Sequence, residues 1–289
     1  MAPLVILGCG YVGARLARAG ISAGRVVRAC RRSTGKLGAL AELGVETKYV
    51  DAATPKSFTA AMTGMAGAVV VYSIPPGPGL APGHALRAAM QAAYGVKASC
   101  FVYFSSSGLY GAQPDDDAWI DEATPVANDD PPMANILIDE NEIAACRFEL
   151  RTVILRLAPV YGPGRGVRER LLQNTYKILD DGEHAISRIH VDDVVRVVFA
   201  AEHHAPSGAR YLVADDEPTT QGDYARWLCE RMAIAMPPSR RMLEPGAPRV
   251  AHRNRRIRNA QLKTALGLEL HYPTFREGEA AIESEQRVA

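Results

Sequence analysis

The stretch Leu4-Val5-Ile6-Leu7-Gly8-Cys9-Gly10-Tyr11-Val12-Gly13 decides the fold of this chain. Four apolar residues lead into a Gly-x-Gly-x-x-Gly turn, and Ala14–Ala19 continues with apolar residues at helical spacing. This order of strand, glycine turn and helix is typical of the first unit of a dinucleotide-binding sheet. A glycine turn alone is weak evidence, but its position directly after a buried-type strand strengthens the interpretation.

Each glycine of the turn has its own predicted role. Gly8 permits the tight turn, Gly10 lets a pyrophosphate approach the backbone, and Gly13 allows the helix to pack close to the strand. The first amides of the helix then offer hydrogen bonds and partial positive charge to the phosphates. The predicted cofactor-binding residues of this segment are Gly8, Cys9, Gly10, Tyr11, Val12 and Gly13.

The bulk composition limits the class of protein. The chain has 289 residues, 47% of them apolar and 22% charged, which is enough for one large α/β domain or one domain with a small cap. A formal net charge of +1 indicates neither a nucleic-acid nor a membrane partner. The five cysteines are widely spaced, so we expect no metal site and no disulfide framework, and a cytoplasmic location. The first residues read as a strand and a helix rather than as a leader.

Strand-like apolar runs alternate with helical patterns along the first part of the chain. This alternation predicts a doubly wound, mostly parallel sheet of Rossmann type, covered by helices on both faces. The predicted strands are Leu4–Leu7, Arg25–Ala29, Thr47–Val50, Ala68–Tyr72, Cys100–Phe104 and Thr152–Leu155, with helical patterns at Leu37–Leu43 and Ala85–Ala93.

After about residue 157 helical and loop segments dominate the pattern. One further strand is predicted at Arg210–Val213, and a short helix at Ala260–Leu266. We expect residues 1–160 to form the NAD(P)-binding domain, with later segments returning to it. Residues 161–289 are expected to form mainly a small substrate-binding lobe over the carboxyl edge of the sheet, where open α/β sheets bind ligands.

The end of the second predicted strand bears on the choice of cofactor. In NAD-binding units a carboxylate there holds the ribose 2′-hydroxyl. This chain has Arg31, Arg32, Ser33 and Thr34 at that place and no acid. Guanidinium groups form charge-assisted bonds to phosphate, so Arg31 and Arg32 favour NADP over NAD, unless both are simply solvated surface charges. Asp51, at the end of the third predicted strand, is expected near the adenine side of the cofactor.

Further segments resemble a known family in both order and spacing. The chain resembles the extended short-chain dehydrogenase/reductase superfamily, specifically its NAD-dependent epimerase/dehydratase group, and looks closest to the atypical members of that group. The resemblance implies a nicotinamide cofactor, contacted by Ser73, Ile74 and Pro75 after the fourth strand and by Pro159. A plain strand-ending proline turn remains the alternative for Ser73–Pro75. The segments that carry the resemblance are Phe104–Gly111, Arg156–Gly164, Ile189–Asp193, Tyr211–Thr220 and Arg256–Leu262.

One part of the family pattern is missing. The resemblance implies a catalytic Tyr-x-x-x-Lys pair and a serine that holds the substrate oxygen. Ser106 matches the serine, with Ser107 adjacent, but Met133 and Leu137 occupy the tyrosine and lysine positions and transfer no proton. Three explanations stay open. Another group supplies the proton, with Tyr110, Tyr161 and His190 as candidates; the substrate needs little acid assistance; or the chain binds NADP without turnover.

Three basic features have both a functional and a structural interpretation. His190 could face the substrate, or it could be structural, with Asp192 and Asp193 capping the helix that follows. Arg156 could bind an anionic substrate or be paired within the protein. The arginine-rich run Arg249–Arg258 could contact a phosphate, although a solvated face is the commoner reason for such a run.

These observations lead to two functional hypotheses. The first is an NAD(P)-dependent oxidoreductase or epimerase that prefers NADP, acts on a small polar carbonyl or sugar-type substrate and uses a non-standard acid/base. The alternative is a non-catalytic NADP(H)-binding sensor or scaffold protein. Relatives of this family commonly form dimers, so a homodimer is expected by analogy.

Overall fold

The structure is a computed structural model that describes residues 1–77, 81–111, 118–126, 131–146, 150–241 and 254–288. Residues 249–253, the first half of the predicted arginine-rich run, lie outside the described residues. Five residues of that run are described, 254–258.

The described residues form one seven-stranded sheet in which every neighbouring pair is parallel. Its strands are, in chain order, β1 (Leu4–Leu7), β2 (Val27–Arg31), β3 (Glu46–Tyr49), β4 (Val69–Tyr72), β5 (Cys100–Ser106), β6 (Thr152–Leu157) and β7 (Ala209–Val213). They lie in the spatial order β7-β6-β5-β4-β1-β2-β3. This order is that of a doubly wound Rossmann sheet with one strand added at an edge, so the predicted fold is confirmed.

Helices cover both faces of the sheet. They are α1 (Tyr11–Ser22), α2 (Gly38–Ala41), α3 (Lys56–Met62), α4 (His84–Gly95), α5 (Pro131–Cys146), α6 (Val167–Leu172), α7 (Val191–His204), α8 (Gln221–Met232), α9 (Ala260–Leu266) and α10 (Phe275–Val288). Helix α7 packs between α1 and α9 on one face, while α3, α4 and α5 pack together on the other. None of these described helices is long and apolar enough to cross a membrane.

Strand β1 lies in the interior of the sheet, between β4 and β2, and it is apolar on both faces. Leu4 and Ile6 belong to the core cluster that includes α1 and α7, whereas Val5 and Leu7 belong to the cluster that includes α3 and α4. All four side chains are fully buried. The continuous apolar run before the glycine turn is therefore the pattern of a strand covered on both sides.

Most predicted elements differ from the structure by one or two residues at an end, and two of them differ for reasons that the structure shows. Strand β2 begins at Val27, two residues after the start of the predicted run Arg25–Ala29. The Arg25 side chain is buried against Glu202 of α7, and pairing with β1 starts only at Val27. The predicted helix Leu37–Leu43 is replaced by a 3-10 turn, Thr34–Leu37, followed by the short α2.

The last part of the chain contributes both to the sheet and to a separate lobe. Strand β7 pairs with β6, so a late segment of the chain forms the edge of the sheet. The lobe has an apolar cluster of its own, which includes Tyr161, Tyr176, Tyr224 and Phe275. It also contains two-residue strands that the sequence did not predict, because so short a strand shows no alternation of apolar and polar residues. They pair as Val160–Tyr161 with Ile189–His190, Ile178–Leu179 with Ser239–Arg240, and Ala185–Ile186 with Thr219–Thr220.

A glycine allows the last helix to pack closely on the lobe. Helix α10 lies against Tyr161, and a Cβ atom on Gly278 would overlap the Tyr161 hydroxyl and lie 2.9 Å from its Cζ. Tyr161 is buried, so its ring has little room to move. The packing of α10 therefore depends on the missing side chain at this position.

We expect Gly278→Ala to destabilise the protein by about 1–3 kcal/mol, because the added methyl overpacks a buried contact. The matched control is Gly95→Ala at the end of α4, where an added Cβ meets nothing within 4 Å. That change should alter the free energy of unfolding by less than about 1 kcal/mol. Urea unfolding measures both variants, and equal stabilities would contradict the close contact.

Candidate functional site

The glycine turn has the strained geometry that its sequence predicts. Gly8 has a φ of +89°, in the region that favours glycine, and an added Cβ would lie 2.9 Å from the backbone of Ser73 and Ile74. The amides of Gly8 and Cys9 both donate to the carbonyl of Cys30 at the end of β2, at 3.0 and 2.8 Å. The turn is thus fastened to the neighbouring strand directly before α1 begins.

The other two glycines fit their predicted roles. A Cβ on Gly13 would lie 3.0 Å from Ile6 Cγ2 and 3.3 Å from Cys9 Sγ, so α1 packs tightly on β1. A Cβ on Gly10 would meet nothing closer than 3.8 Å, which leaves this side of the turn open. No side chain caps the N-terminus of α1, and no acidic residue lies in its first turn. The first amides of α1 are therefore left for a ligand, and a pyrophosphate fits their charge and position.

The residues predicted beside the turn surround it. Ser73 Oγ donates to the Gly8 carbonyl at 2.8 Å, and Ile74 lies against Gly8. The Tyr11 hydroxyl donates to the Pro163 carbonyl at 3.1 Å, which ties the start of α1 to the lobe. Burial raises the pKa of Tyr11 to about 12. Val12 follows in the first turn of α1, and Pro75 follows Ile74 after β4.

The residues proposed to select the cofactor lie along the same edge. Arg31 ends β2 and donates to the Cys9 carbonyl at 3.3 Å, so its guanidinium lies at the glycine turn. Arg32 follows it and is exposed. Asp51 follows β3 and accepts hydrogen bonds from the Ala53 amide and the Tyr49 hydroxyl, both at 3.1 Å. Contact with a 2′-phosphate by either arginine remains a prediction.

The serine turn after β5 lies against Met133, which stands where the resemblance implies a tyrosine. Ser106 Oγ accepts from the Gly108 amide at 2.9 Å and caps the 3-10 turn Ser107–Tyr110. The sulfur of Met133 covers this turn, since a Cβ on Gly108 would lie 2.6 Å from it. Leu137 follows one helical turn later on α5 and is half-buried. A thioether thus lies against the serine turn, and it offers no proton there.

Tyr110 does not lie where a proton donor to the substrate must be. It is fully buried, and its hydroxyl accepts a 2.6 Å hydrogen bond from Arg156 Nη1. Arg156 in turn forms two hydrogen bonds to Glu140 of α5, at 2.9 and 2.6 Å, and is itself 2% exposed. The anion-binding interpretation of Arg156 is therefore wrong, because its charge is already neutralised inside the core. Tyr110 belongs to the same structural cluster.

His190 is part of the scaffold rather than of the cavity wall. It is the N-cap of α7, with Nδ1 accepting from the Asp192 amide at 3.3 Å. The prediction that the following aspartates cap this helix is wrong, since Asp193 instead accepts from the amides of His271 and Tyr272. Burial lowers the pKa of His190 to about 4, so the ring is neutral near pH 7.

Tyr161 is the candidate proton donor that reaches the cavity. Its side chain lines the cavity wall, and its hydroxyl is buried without a hydrogen-bond partner among the described residues. Burial raises its pKa, so the hydroxyl keeps its proton. The hydroxyl end, however, is directed at Gly278 of α10. The ring of Tyr161 therefore forms part of the cavity wall, whereas its hydroxyl is directed at α10.

A cavity of about 560 Å³ lies between the sheet edge and the lobe. Ser107 and Pro159 form its wall on the side of the sheet. No carboxylate is found among the described residues that line it, and no cluster of metal ligands occurs in the described part of the chain. Its lining is strongly basic through Arg165, Arg170, Lys177, Arg188, Arg240 and Arg255.

Among the lobe residues that line the cavity, Tyr161 and the arginine-rich run that contains Arg255 were singled out from the sequence, and the other lining cations were missed. The lining cations are spread over 91 positions of the sequence, from Arg165 to Arg255, without a motif that connects them. Arg255 shows how they are brought together, because it donates to the Ser107 carbonyl at 2.8 Å across the cleft. The lining cations come together only in the folded chain.

Comparison with known proteins confirms the family resemblance. Residues 83–214 match the model of the NAD dependent epimerase/dehydratase family. This segment contains the serine turn, Arg156–Gly164 and Ile189–Asp193, which carry the resemblance in the sequence. The matched segment begins after the glycine turn, so the family model says nothing about that turn. The glycine turn is supported by the fold that the chain shares with solved structures.

Solved structures share the fold over the whole chain. A conserved protein of unknown function from Silicibacter pomeroyi is 28% identical, with 99% of each chain covered and a TM-score of 0.85. The UDP-glucose 4-epimerase of Thermotoga maritima, solved with UDP-glucose, is 19% identical, with a TM-score of 0.84 over 100% of this chain and 99% of that chain. MoeE5, solved with UDP-glucose and NAD, is 20% identical, with a TM-score of 0.81 and 99% of each chain covered. A search of curated proteins gave no significant match.

The placement of His190 predicts how stability depends on pH. The folded protein holds this ring neutral down to about pH 4, whereas in the unfolded chain it titrates near its ordinary value of 6.5. Between these values the unfolded chain binds more protons, so stability falls as the pH falls. His190→Asn keeps a capping side chain and removes this loss, which amounts to about 3 kcal/mol between pH 6.5 and pH 4.

Urea unfolding of both proteins at several pH values across that window measures the difference. Other buried groups, such as Asp139, whose pKa burial raises to about 6, contribute alike to both proteins and cancel. Parallel stability curves for the two proteins would show that His190 is not held neutral by burial.

Proposed function

We propose that this protein is an NAD(P)-dependent oxidoreductase or epimerase that acts on a small polar carbonyl or sugar-type substrate with a non-standard acid/base. The observation that carries the proposal is the open glycine turn and uncapped start of α1, which share one edge of the sheet with a basic cavity. When bound, a nicotinamide cofactor would supply hydride exchange at carbon. The relatives solved with NAD support this choice of cofactor.

The residues of the chain have separate parts in this proposal. The amides at Gly10–Gly13 would hold the pyrophosphate, and Ser73 and Ile74 support the turn from below. Ser107 and Pro159 stand between the cofactor edge and the cavity. The basic lining favours a substrate that carries negative charge. UDP-glucose, bound by two of the structural relatives, is an example of such a substrate class.

The proton chemistry must differ from that of the family. Tyr110 and His190 are buried away from the cavity, and Met133 covers the serine turn. The serine hydroxyls and the guanidinium groups of the lining remain as hydrogen-bond donors to a substrate oxygen. This arrangement supports a substrate that needs little acid assistance, such as an activated carbonyl, with Tyr161 as the residual candidate for the acid.

The alternative function is a sensor or scaffold that binds NADP(H) without turnover. The loss of the tyrosine and lysine at positions 133 and 137 favours it. The cavity beside the cofactor edge favours an enzyme, because a sensor of the cofactor alone has no need of a second site. The proposal includes a cytoplasmic location, with which five free cysteines are consistent. It also includes a homodimer, which rests on family analogy alone.

We expect the purified protein to oxidise NADPH in the presence of members of a panel of activated carbonyl compounds, followed by absorbance at fixed cofactor concentration. The double variant Met133→Tyr, Leu137→Lys should increase the rate by at least about tenfold, because it adds an acid beside Ser106. A wild-type protein that binds NADPH but stays inactive with every compound would favour the sensor. Turnover in the unaltered chain would exclude the sensor.

Cofactor choice has its own test. We expect Arg31→Asp to weaken NADP binding by at least about a hundredfold, or about 3 kcal/mol, because it removes a phosphate partner and adds repulsion. NAD binding should change by less than about threefold. Calorimetric titration with both nucleotides measures this, with Arg18→Asp on α1 as the control. Equal losses for NADP and NAD would show that Arg31 does not contact the 2′-phosphate.

A further inference from the structure

One buried arginine in this protein lacks the partner that the others have. Arg188 is only 4% exposed, yet it forms no ion pair with any described carboxylate, and its Nη1 is buried without a hydrogen-bond partner. The four other arginines that the structure describes as buried are each paired with a glutamate at 2.6–2.8 Å. These pairs are Arg25–Glu202, Arg28–Glu46, Arg156–Glu140 and Arg168–Glu279.

The surroundings of Arg188 fix the direction from which a partner can come. Its guanidinium carbon lies 3.9 Å from the centroid of the Tyr224 ring and 5.5 Å from that of Phe275. A guanidinium covered by a ring on its face keeps only its edge for hydrogen bonds. Arg188 is also part of the cavity wall, together with Tyr161 and Ser187. Arg188 therefore borders the cavity, which is the side from which a ligand can approach it.

The neighbouring acids form no hydrogen bond or ion pair with the Arg188 guanidinium. Glu279 accepts hydrogen bonds from Arg168 and from the Tyr224 hydroxyl, so it is already paired. Asp215 is fully buried, burial raises its pKa well above the usual range, and neither of its carboxylate oxygens forms a hydrogen bond with Arg188. The Arg188 guanidinium therefore has no ion-pair partner among the described residues. A buried charge without a partner is costly, and a ligand that supplies the partner removes that cost.

We propose that Arg188 is a binding residue for a carboxylate group of the substrate. The proposal rests on the proposed function, because it assigns part of the same cavity. A carboxylate is planar, and its two oxygens match the edge of the planar guanidinium, so it supplies the partner that Arg188 lacks. Inorganic phosphate is the alternative oxyanion, and the test below distinguishes the two.

The test compares Arg188→Met with Arg168→Met, a buried arginine that has its glutamate. In buffer free of oxyanions, the melting temperature of R188M should equal or exceed that of wild type, whereas R168M should melt several degrees lower. Millimolar glycolate, at constant ionic strength set with chloride, should raise the melting temperature of wild type and R168M but not of R188M. Inorganic phosphate at the same concentration should give the smaller shift.

The outcomes separate the possible roles of Arg188. A fall for R188M as large as that for R168M would make Arg188 a structural residue and overturn the proposal, as would a glycolate shift that survives in R188M. A larger shift with phosphate than with glycolate would overturn the choice of carboxylate. If R188M does not fold, Arg188→Lys replaces it, and loss of the planar edge should weaken glycolate binding at least threefold by calorimetry.

A NADPH titration of the same proteins separates this proposal from the proposed function. NADPH should stabilise wild type and R188M alike, because Arg188 lies outside the glycine turn. If wild type responds to glycolate but not to NADPH, the proposed function fails and the carboxylate site stands. If it responds to NADPH but not to glycolate, the carboxylate site alone fails.

Discussion

The contact between β1 and α1 through the glycine turn is the constraint on which the rest of the site depends. A side chain at Gly13 would push α1 away from Ile6, and a side chain at Gly8 would strike Ser73 and Ile74 after β4. Because the turn stays compact, the start of α1 lies at the carboxyl edge with its amides uncovered. The ends of β2, β4 and β5 then meet at this same edge, as parallel pairing requires.

The lobe opposes that edge with a different kind of organisation, based on charge. Inside the sheet domain, arginines such as Arg156 are buried together with their glutamates and act as structural connections. Around the cavity, basic side chains gather without acids in the described lining, and Arg188 has no ion-pair partner among the described residues. The buried arginine–glutamate pairs are complete in the folded protein, whereas Arg188 gains its partner only when an anion binds. The paired arginines thus stabilise the fold, and the basic residues of the cavity are placed to bind a ligand.

The sequence predicted the sheet well and the cavity poorly, for physical reasons. The run Leu4–Leu7 is buried on both faces, so its pattern determines the strand without further information. Strand β2 was displaced because Arg25 binds Glu202, a contact that local patterning does not contain. The turn residues were predictable because Gly8 adopts a positive φ and because Gly8 and Gly13 leave no room for a side chain. The burial of Tyr110 and the covering of Arg188 by aromatic rings depend on residues more than 30 positions away in the chain.

The pairing of β7 with β6 has a consequence for the integrity of the protein. Five residues near position 211 complete the edge of the sheet, and α7, which precedes them, covers the face on which α1 lies. A chain shortened to its first 160 residues would keep every glycine of the turn but would uncover the backbone of β6 along its full length. Bare strand edges recruit other strands, so such a fragment would tend to aggregate rather than work as an autonomous nucleotide-binding module.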